Sequence, residues 1–185
     1  VIAFDSGAAE AKADDEILVD ISEIISGSGI RDSANWDIVR KAVENGVNAI
    51  ESSSMGRLFD AVSSLLGICH ENSYEGECAI LLEDAAARAM KRPGASRTDD
   101  LALKFHMQVA GMIFNRCAII REKTGIEKAA LTGGVFQNKI LMEKALALLR
   151  GGGFDTYYNI SVSPNDGGIA LGQSYIGMCR HRRGL

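Results

Sequence analysis

Two strings in the second half of the chain have the residue types that handle a charged ligand. Thr132-Gly-Gly-Val-Phe-Gln-Asn138 sets two glycines between the apolar run Lys128-Ala-Ala-Leu131 and an amphipathic stretch. Glycines let the backbone approach a ligand closely, and a helix start offers free N–H groups and a positive dipole end, which suits a phosphate. Asn138, about one turn in, could hydrogen-bond the same ligand. A tight strand-to-helix turn with no ligand accounts equally well for the glycine pair. Ser163-Pro-Asn-Asp-Gly-Gly168 has a carboxylate before two glycines at another helix start. Asp166 is there either as an N-cap or as a metal-ligating or catalytic carboxylate.

Other carboxylates have two readings each. Asp60 follows three serines in Ser52-Ser-Ser-Met-Gly-Arg-Leu-Phe-Asp60 and sits among Phe59, Ala61 and Val62. It either faces a pocket or is an exposed helical acid. In Ser73-Tyr-Glu-Gly-Glu77, Gly76 makes a turn between two acids. Glu75 or Glu77 could bind a ribose hydroxyl, or simply begin the next helix, where acids are favoured. His106 lies between Phe105 and Met107 and reads as structural. Cys69 and Cys117 read as core, since neither has an evident cationic or helix-N-terminal setting. No Walker-type loop and no GxSxG is present.

The elements that position these residues follow from periodicity. Spacings of three and four predict helices over 34–48 (Trp36, Val39, Val43, Val47), 55–66 (Leu58, Phe59, Val62, Leu66) and 77–90. The longest helix is expected over 98–123, with Thr98 or Asp99 as N-cap and Gly125 as its stop. Strands are expected at 128–131 and 154–158, and helices at 136–150 and 169–180. Strand, glycine loop, helix, strand, glycine loop, helix is the order of a parallel α/β sheet. Loops after parallel strands share one edge, so the two glycine loops should face one crevice. The two strands are expected to lie parallel and adjacent, with both following helices packed on them. Residues 1–30 form an acidic lead, with seven carboxylates and one lysine. It holds two short strands (Ile2–Phe4, Ile17–Val19) and a short helix over 21–25. Residues 31–185 make up the main lobe.

Composition excludes several classes. The 185 residues carry a net charge of −4, against a nucleic-acid-binding module. No apolar run reaches the roughly 18 residues of a membrane span. There is no basic leader and no initiator Met, so the chain is expected to be a piece of a longer, cytoplasmic protein. The four cysteines form no CxxC pair and are expected to be reduced. The three histidines are far apart and give no metal site by spacing. Gly is about 11% against an average of about 7%, with only two Pro, which points to tight turns around ligands rather than disorder.

Five strings taken together resemble one family. They are SSSMGRLFDAVSSLLGI (52–68), SYEGECA (73–79), LALKFHMQVA (101–110), LTGGVFQNKILME (131–143) and SPNDGGIALGQ (163–173). They resemble the C-terminal region of the HypF family, the carbamoyltransferases of nickel–iron hydrogenase maturation, over residues 45–180. The resemblance implies a helix-rich α/β lobe of the actin/hexokinase-like ATPase fold, with a partly parallel sheet flanked by helices. It implies that ATP and carbamoyl-adenylate bind here, and that the complete protein passes the carbamoyl group to the C-terminal cysteine of a HypE-like acceptor. Gly133, Gly134 and Asn138 would hold the nucleotide. Asp60, Gly76 and Glu77 would hold the ribose, and Asp166 would be a metal ligand.

Two departures qualify the likeness. The family's HxxxH metal ligands are not in this chain, so Asp166 makes an incomplete site, and a divalent metal is expected only in the full-length protein. A segment like Ile2–Ser26 lies in relatives between the SYEGE helix and the KFH helix, whereas here it comes first. That order implies a rearrangement, or an unrelated extension with a deleted loop. The partners implied are the rest of a HypF chain and the acceptor protein, with the fragment inactive alone. The alternatives are an O-carbamoyltransferase or threonylcarbamoyl transferase of the same fold, or a non-catalytic partner-binding module.

Overall fold

The computed structural model describes residues 21–27, 36–47, 52–92 and 94–182. The two strands expected within residues 1–19 lie outside these. The described helices are α1 (Ser22–Gly27), α2 (Trp36–Glu44), α3 (Met55–Leu65), α4 (Glu77–Lys91), α5 (Arg97–Thr124), α6 (Lys139–Gly151) and α7 (Ile169–Arg182). Strands β1 (Lys128–Leu131) and β2 (Asp155–Tyr158) flank α6, and 3-10 turns occupy Gly134–Gln137 and Asp166–Gly168.

The centre of the lobe is α5, which packs against α4 and α6, while α3 packs on α4. Its start is fixed by Ser96, whose hydroxyl accepts from the Asp99 N–H at 3.2 Å. Ser96 therefore caps the helix, two or three residues ahead of the expected Thr98 or Asp99. Asp99 and Asp100 in the first turn and Arg121 and Lys123 in the last complement the helix dipole. Gly125 ends the helix in the left-handed region, with φ 73°. The face carrying Leu101, Phe105 and Val109 is buried, with Ala102 and Ala110 beside it. Those alanines, with Ala85 and Ala86 of α4, let the two helix axes approach. Phe59 of α3 meets Phe105 edge-on at 4.9 Å, a geometry that aromatic quadrupoles favour. Glu23 of α1 pairs with Lys104 of α5, and Ile24 is buried beneath it.

β1 and β2 run parallel, with Lys128 opposite Asp155 and Leu131 opposite Tyr158, as the strand–helix–strand order predicts. Ala129 and Leu131 turn inward and Lys128 and Ala130 outward, so β1 is buried on one face. The turn between α6 and β2 is pinned by Arg121, which donates to the Gly152 carbonyl at 2.7 Å and lies 4.2 Å over the Phe154 ring.

Four expectations need correction. The helix expected from Phe136 begins instead at Lys139, because Asn138 caps it and a 3-10 turn fills the gap. α2 ends at Glu44 with turns over 45–47, where the helix is expected to run on, and Val43 and Val47 of its expected apolar stripe are 62% and 56% exposed. α7 has no buried residue. Its apolar residues are spread around the helix rather than gathered on one face, so it does not pack on the strands as α6 does. Lastly, Cys69 and Cys78 are joined as a disulfide rather than held as thiols. The ends of α3 and α4 bring their Cα atoms to 5.1 Å, a proximity that no CxxC spacing would reveal. Cys117 and Cys179 are free.

α4 and α5 are also tied by Arg88, which donates to Asp99 from Nε at 3.1 Å and Nη2 at 2.8 Å. Burial works to raise the Asp99 carboxyl, but hydrogen bonds from Arg88 and Ser96 and the Arg88 charge outweigh it and hold it below 3.8. The Arg88 side chain is 54% exposed, so solvent screening keeps the pair's worth near that of a surface pair. Arg88→Ala is expected to lower stability by about 1 kcal/mol at neutral pH. A carboxyl depressed in the fold stabilises above its unfolded value and loses that effect as pH falls through its folded one. The difference between the two proteins should therefore hold above pH 3.8 and close in stronger acid. Urea melts of both proteins across that range check this, and a gap that persists in strong acid would contradict it.

Candidate functional site

The site is built at the C-terminal ends of the two parallel strands. Beyond β1 the chain enters Thr132-Gly133-Gly134, and Gly133 has φ 108° and ψ 157°, a conformation open to glycine alone in practice. Its N–H donates to the Pro164 carbonyl at 2.9 Å, joining the two glycine loops by a backbone hydrogen bond. A Cβ on Gly134 would sit 3.8 Å from Cβ of Asn165, so the loops lie face to face. In the second loop Asn165 Oδ1 accepts from Ser163 Oγ at 2.7 Å and the Gly167 N–H at 3.0 Å. A Cβ on Gly168 would lie 2.5 Å from the Ser163 carbonyl oxygen, so that turn also needs its glycine.

Behind the first loop runs a buried chain of hydrogen bonds. His106 is fully buried, and its Nδ1 lies 2.7 Å from the Ala102 carbonyl. A carbonyl only accepts, so Nδ1 carries the proton and Nε2 is an acceptor. Asn138 Nδ2 donates to that nitrogen at 2.9 Å, and Asn138 Oδ1 accepts from the Leu141 N–H at 2.8 Å. The ring also meets Phe59 edge-on at 5.2 Å. Burial pushes the His106 pKa below 6.5, against the pull of the Ala102 carbonyl, and favours the neutral ring. The structural reading of His106 holds.

This arrangement changes where an anion could sit. At the start of α6, the Lys139 and Ile140 N–H groups donate to Glu83 Oε1 at 2.7 and 3.4 Å, and Leu141 N–H donates to Asn138. The helix start is thus filled from within the chain, and both ends of the Asn138 amide are engaged. A phosphate on this N-terminus, with Asn138 touching it from one turn in, is not what the geometry provides. In this loop the N–H groups of Gly134 and Val135, at the start of the 3-10 turn, have no partner among the described residues. The sequence has no local signal for Glu83, which lies 56 residues before Lys139.

The remaining candidates fall into two groups. Asp60 is half-buried on α3, which packs beside the 134–137 turn. Its Oδ1 is buried without a hydrogen-bond partner, as is the Ser63 hydroxyl one turn on. An unpartnered buried carboxylate oxygen is costly unless something outside the chain donates to it, which favours the pocket reading. Gly76, at φ 81°, caps α4. Glu77 accepts from the N–H and hydroxyl of Ser73 at 2.6 and 2.7 Å, and these bonds hold its carboxyl below its usual value. Glu77 thus realises its helix-start reading. Asp166 is exposed, and Asn165, not Asp166, caps its turn. Among the described residues no group of three or more His, Cys, Asp or Glu side chains could hold a metal ion. Among the same residues no helix is long and apolar enough to cross a membrane.

Facing glycine loops at one edge of a parallel strand pair, with helices behind them, define a lobe of helix-rich α/β type. A family model described as "Carbamoyltransferase, Kae1-like Domain, second subdomain" matches residues 15–98 and 90–173, and the chain belongs to that family. It is 36% identical over 164 residues to carbamoyltransferase HypF of Rhodobacter capsulatus, covering 78% of this chain and 22% of that protein. With carbamoyltransferase HypF of Synechocystis sp. it shares 32% identity over 149 residues, 66% of this chain and 19% of the relative. The chain thus spans about one fifth of the length of these relatives. Among solved structures, full-length HypF in the phosphate- and nucleotide-bound form superposes with a TM-score of 0.66 at 29% identity. That match covers 88% of this chain and 25% of the other. HypF of T. kodakarensis gives 0.64 at 22% identity, covering 85% and 24%, a likeness of fold.

His106→Leu removes the acceptor for Asn138 and the donor to Ala102, and is expected to cost about 1–3 kcal/mol at neutral pH. A histidine whose pKa is lowered by folding stabilises fully above its unfolded value, because below it the unfolded chain binds a proton that the fold refuses. The stability gap between wild type and His106→Leu should therefore be largest above pH 6.5 and shrink as pH falls below it. Denaturant titrations on both sides of that pH measure it. A gap that widens in acid would mean that the buried ring is charged.

Proposed function

We propose that the chain is the nucleotide-gripping lobe of a HypF-type carbamoyltransferase, working within a longer protein. The observation that carries this is the hydrogen bond from Gly133 to Pro164, which holds two glycine loops against each other with unpartnered N–H groups at their junction. The solved relative at 29% identity is described as phosphate- and nucleotide-bound, which supports a nucleotide as ligand. In this reading the Gly134 and Val135 N–H groups meet a phosphate of ATP or of carbamoyl-adenylate. Asp60 Oδ1 accepts from a ribose hydroxyl, beside the segment that Gly76 turns. Asn138 and Glu77 act one step back, Asn138 by bracing the glycine loop and Glu77 by bracing the Ser73–Gly76 turn.

The reaction served is attack of a thiolate, the C-terminal cysteine of a HypE-like acceptor, on the carbamoyl carbon, with the adenylate leaving. The lobe binds and orients the adenylate portion for that step. Asp166 alone, exposed and without a second ligand among the described residues, does not fit a divalent-metal site within this chain. The acidic lead is read as a family segment carried to the front of the chain. The two-stretch family match, at 15–98 and 90–173, is in keeping with that order.

Gly134→Val tests the phosphate contact. A Cβ at Gly134 meets only Asn165 Cβ, at 3.8 Å, and the residue is not in the left-handed region. The variant should fold, and its branched side chain should stand where a phosphate must approach. Calorimetry with ATP is expected to show affinity falling about tenfold or more, an interaction change of roughly 1.4 kcal/mol. Unchanged affinity in a folded variant would show that the glycines serve only the turn. Asp166→Asn should leave stability within about 0.5 kcal/mol of wild type, being exposed and outside the cap. Thermal melts check it, and a larger loss would place Asp166 in the fold's own hydrogen bonding.

A further inference from the structure

Cys69 follows α3 and Cys78 lies in the first turn of α4, and the segment between them, 70–77, is largely exposed. Both cysteines are nearly enclosed, at 9% and 2% exposure. We propose that they form a reversible disulfide that clamps this loop, set by exchange with low-molecular-weight thiols and disulfides. α3 and α4 are already held together by Leu58, Phe59, Val62, Leu82, Ala85 and Ala86, all buried in one core. The bridge is therefore not what keeps the helices in contact. When it opens, the helices still hold the two sulfurs near each other, and the reverse step stays intramolecular.

The loop retains bonds of its own. Asn72 Oδ1 accepts from the Cys78 N–H at 2.8 Å, Glu77 holds Ser73, and Ser64 Oγ meets His70 Nδ1 at 2.9 Å. Among these, only Ser64–His70 ties the loop back to α3, and it is exposed. The Cys69–Cys78 bond is thus the one covalent restraint across the loop's two ends. Closing it removes open conformations of the loop more than it adds contacts.

The exchange balances as follows. One cysteine thiolate attacks a small disulfide, forming a mixed disulfide and releasing one small thiol. The second cysteine thiolate attacks the protein sulfur of that mixed disulfide and releases the second small thiol. The two cysteines lose two electrons and two protons, and the small disulfide gains them as two thiols. Reduction is the same sequence reversed. Exposure of residues 70–75 gives the reagent its approach through local opening of the loop. The clamp stands on this geometry and does not depend on the nucleotide reading, although the loop it restrains ends in Gly76 and Glu77.

The test equilibrates the chain in glutathione buffers from fully reduced to fully oxidised, caps free thiols, and maps the peptides. The same samples are compared by amide hydrogen exchange over 70–77. The expected result is a Cys69–Cys78 bridge that opens and closes across the series, with loop amides exchanging about tenfold more slowly in the closed form. Cys117 and Cys179 should stay cappable throughout. Cys78→Ala should erase the redox dependence of exchange. Cys69→Ser, at the more exposed cysteine, serves if the first variant does not fold. A pair that stays reduced in the most oxidising buffer, or closed in the most reducing one, overturns the proposal. So does a bridge that switches while loop exchange stays constant.

Discussion

The structure turns on one hydrogen-bonded chain, from the Ala102 carbonyl through His106 and Asn138 to the Leu141 N–H. It joins the buried middle of α5 to the first turn of α6 and fixes the loop between β1 and α6 from behind. Its direction is enforced by chemistry. The carbonyl accepts, so the imidazole donates from Nδ1 and accepts at Nε2, so the Asn amide donates there and accepts from the helix. A buried polar chain of this kind holds its geometry only when every member is satisfied, and here every member is.

That chain decides what is left over for a ligand. Glu83 and Asn138 consume the N–H groups at the start of α6, while those of Gly134 and Val135 on the 3-10 turn stay without a partner among the described residues. The division is sharp. Side chains with partners inside the lobe (His106, Asn138, Glu77, Glu83) shape the loops, while groups without partners include Asp60 Oδ1 and the Ser63 hydroxyl on α3 and the Gly134 and Val135 N–H on the turn that α3 packs beside. A buried polar group left without a partner in a native fold calls for an explanation, and a ligand is one such explanation.

Much of this was legible in the sequence because it is local. The stripe through Leu58, Phe59 and Val62, the long run ending at Gly125, and the strand–helix–strand order each depend on residues close in the chain. So does the confrontation of the two glycine loops, which follows from parallel pairing. What was not legible depends on residues distant in sequence or on choices between near-equivalent neighbours. Ser96 caps α5 instead of Thr98 or Asp99, since all three are capable residues within one turn. Asn138 has the local placement of a ligand contact, while its actual partner His106 lies 32 residues away on another helix. The disulfide has no local signal, because Cys69 and Cys78 meet only once α3 and α4 are packed. The apolar residues of α2 have helical spacing, yet spacing alone does not say what a face is packed against.

α6 is fastened at both ends, by Asn138 at its start and by the Arg121–Gly152 contact beyond its end. Its length is consequently a fixed quantity. One added or deleted residue would turn everything beyond it by about 100° around the helix, taking Leu141 or Leu149 out of the core. The alternative is to pass the slip into β2, where a shift of one residue exchanges the two faces of the strand. The 92–96 connection joins helices whose relative position is set by side chains on α4 and α5, not by its own length. Over evolutionary time, insertions and deletions should accumulate in such connections, while the stretch from the glycine loop to β2 stays constant in length even where its residues change.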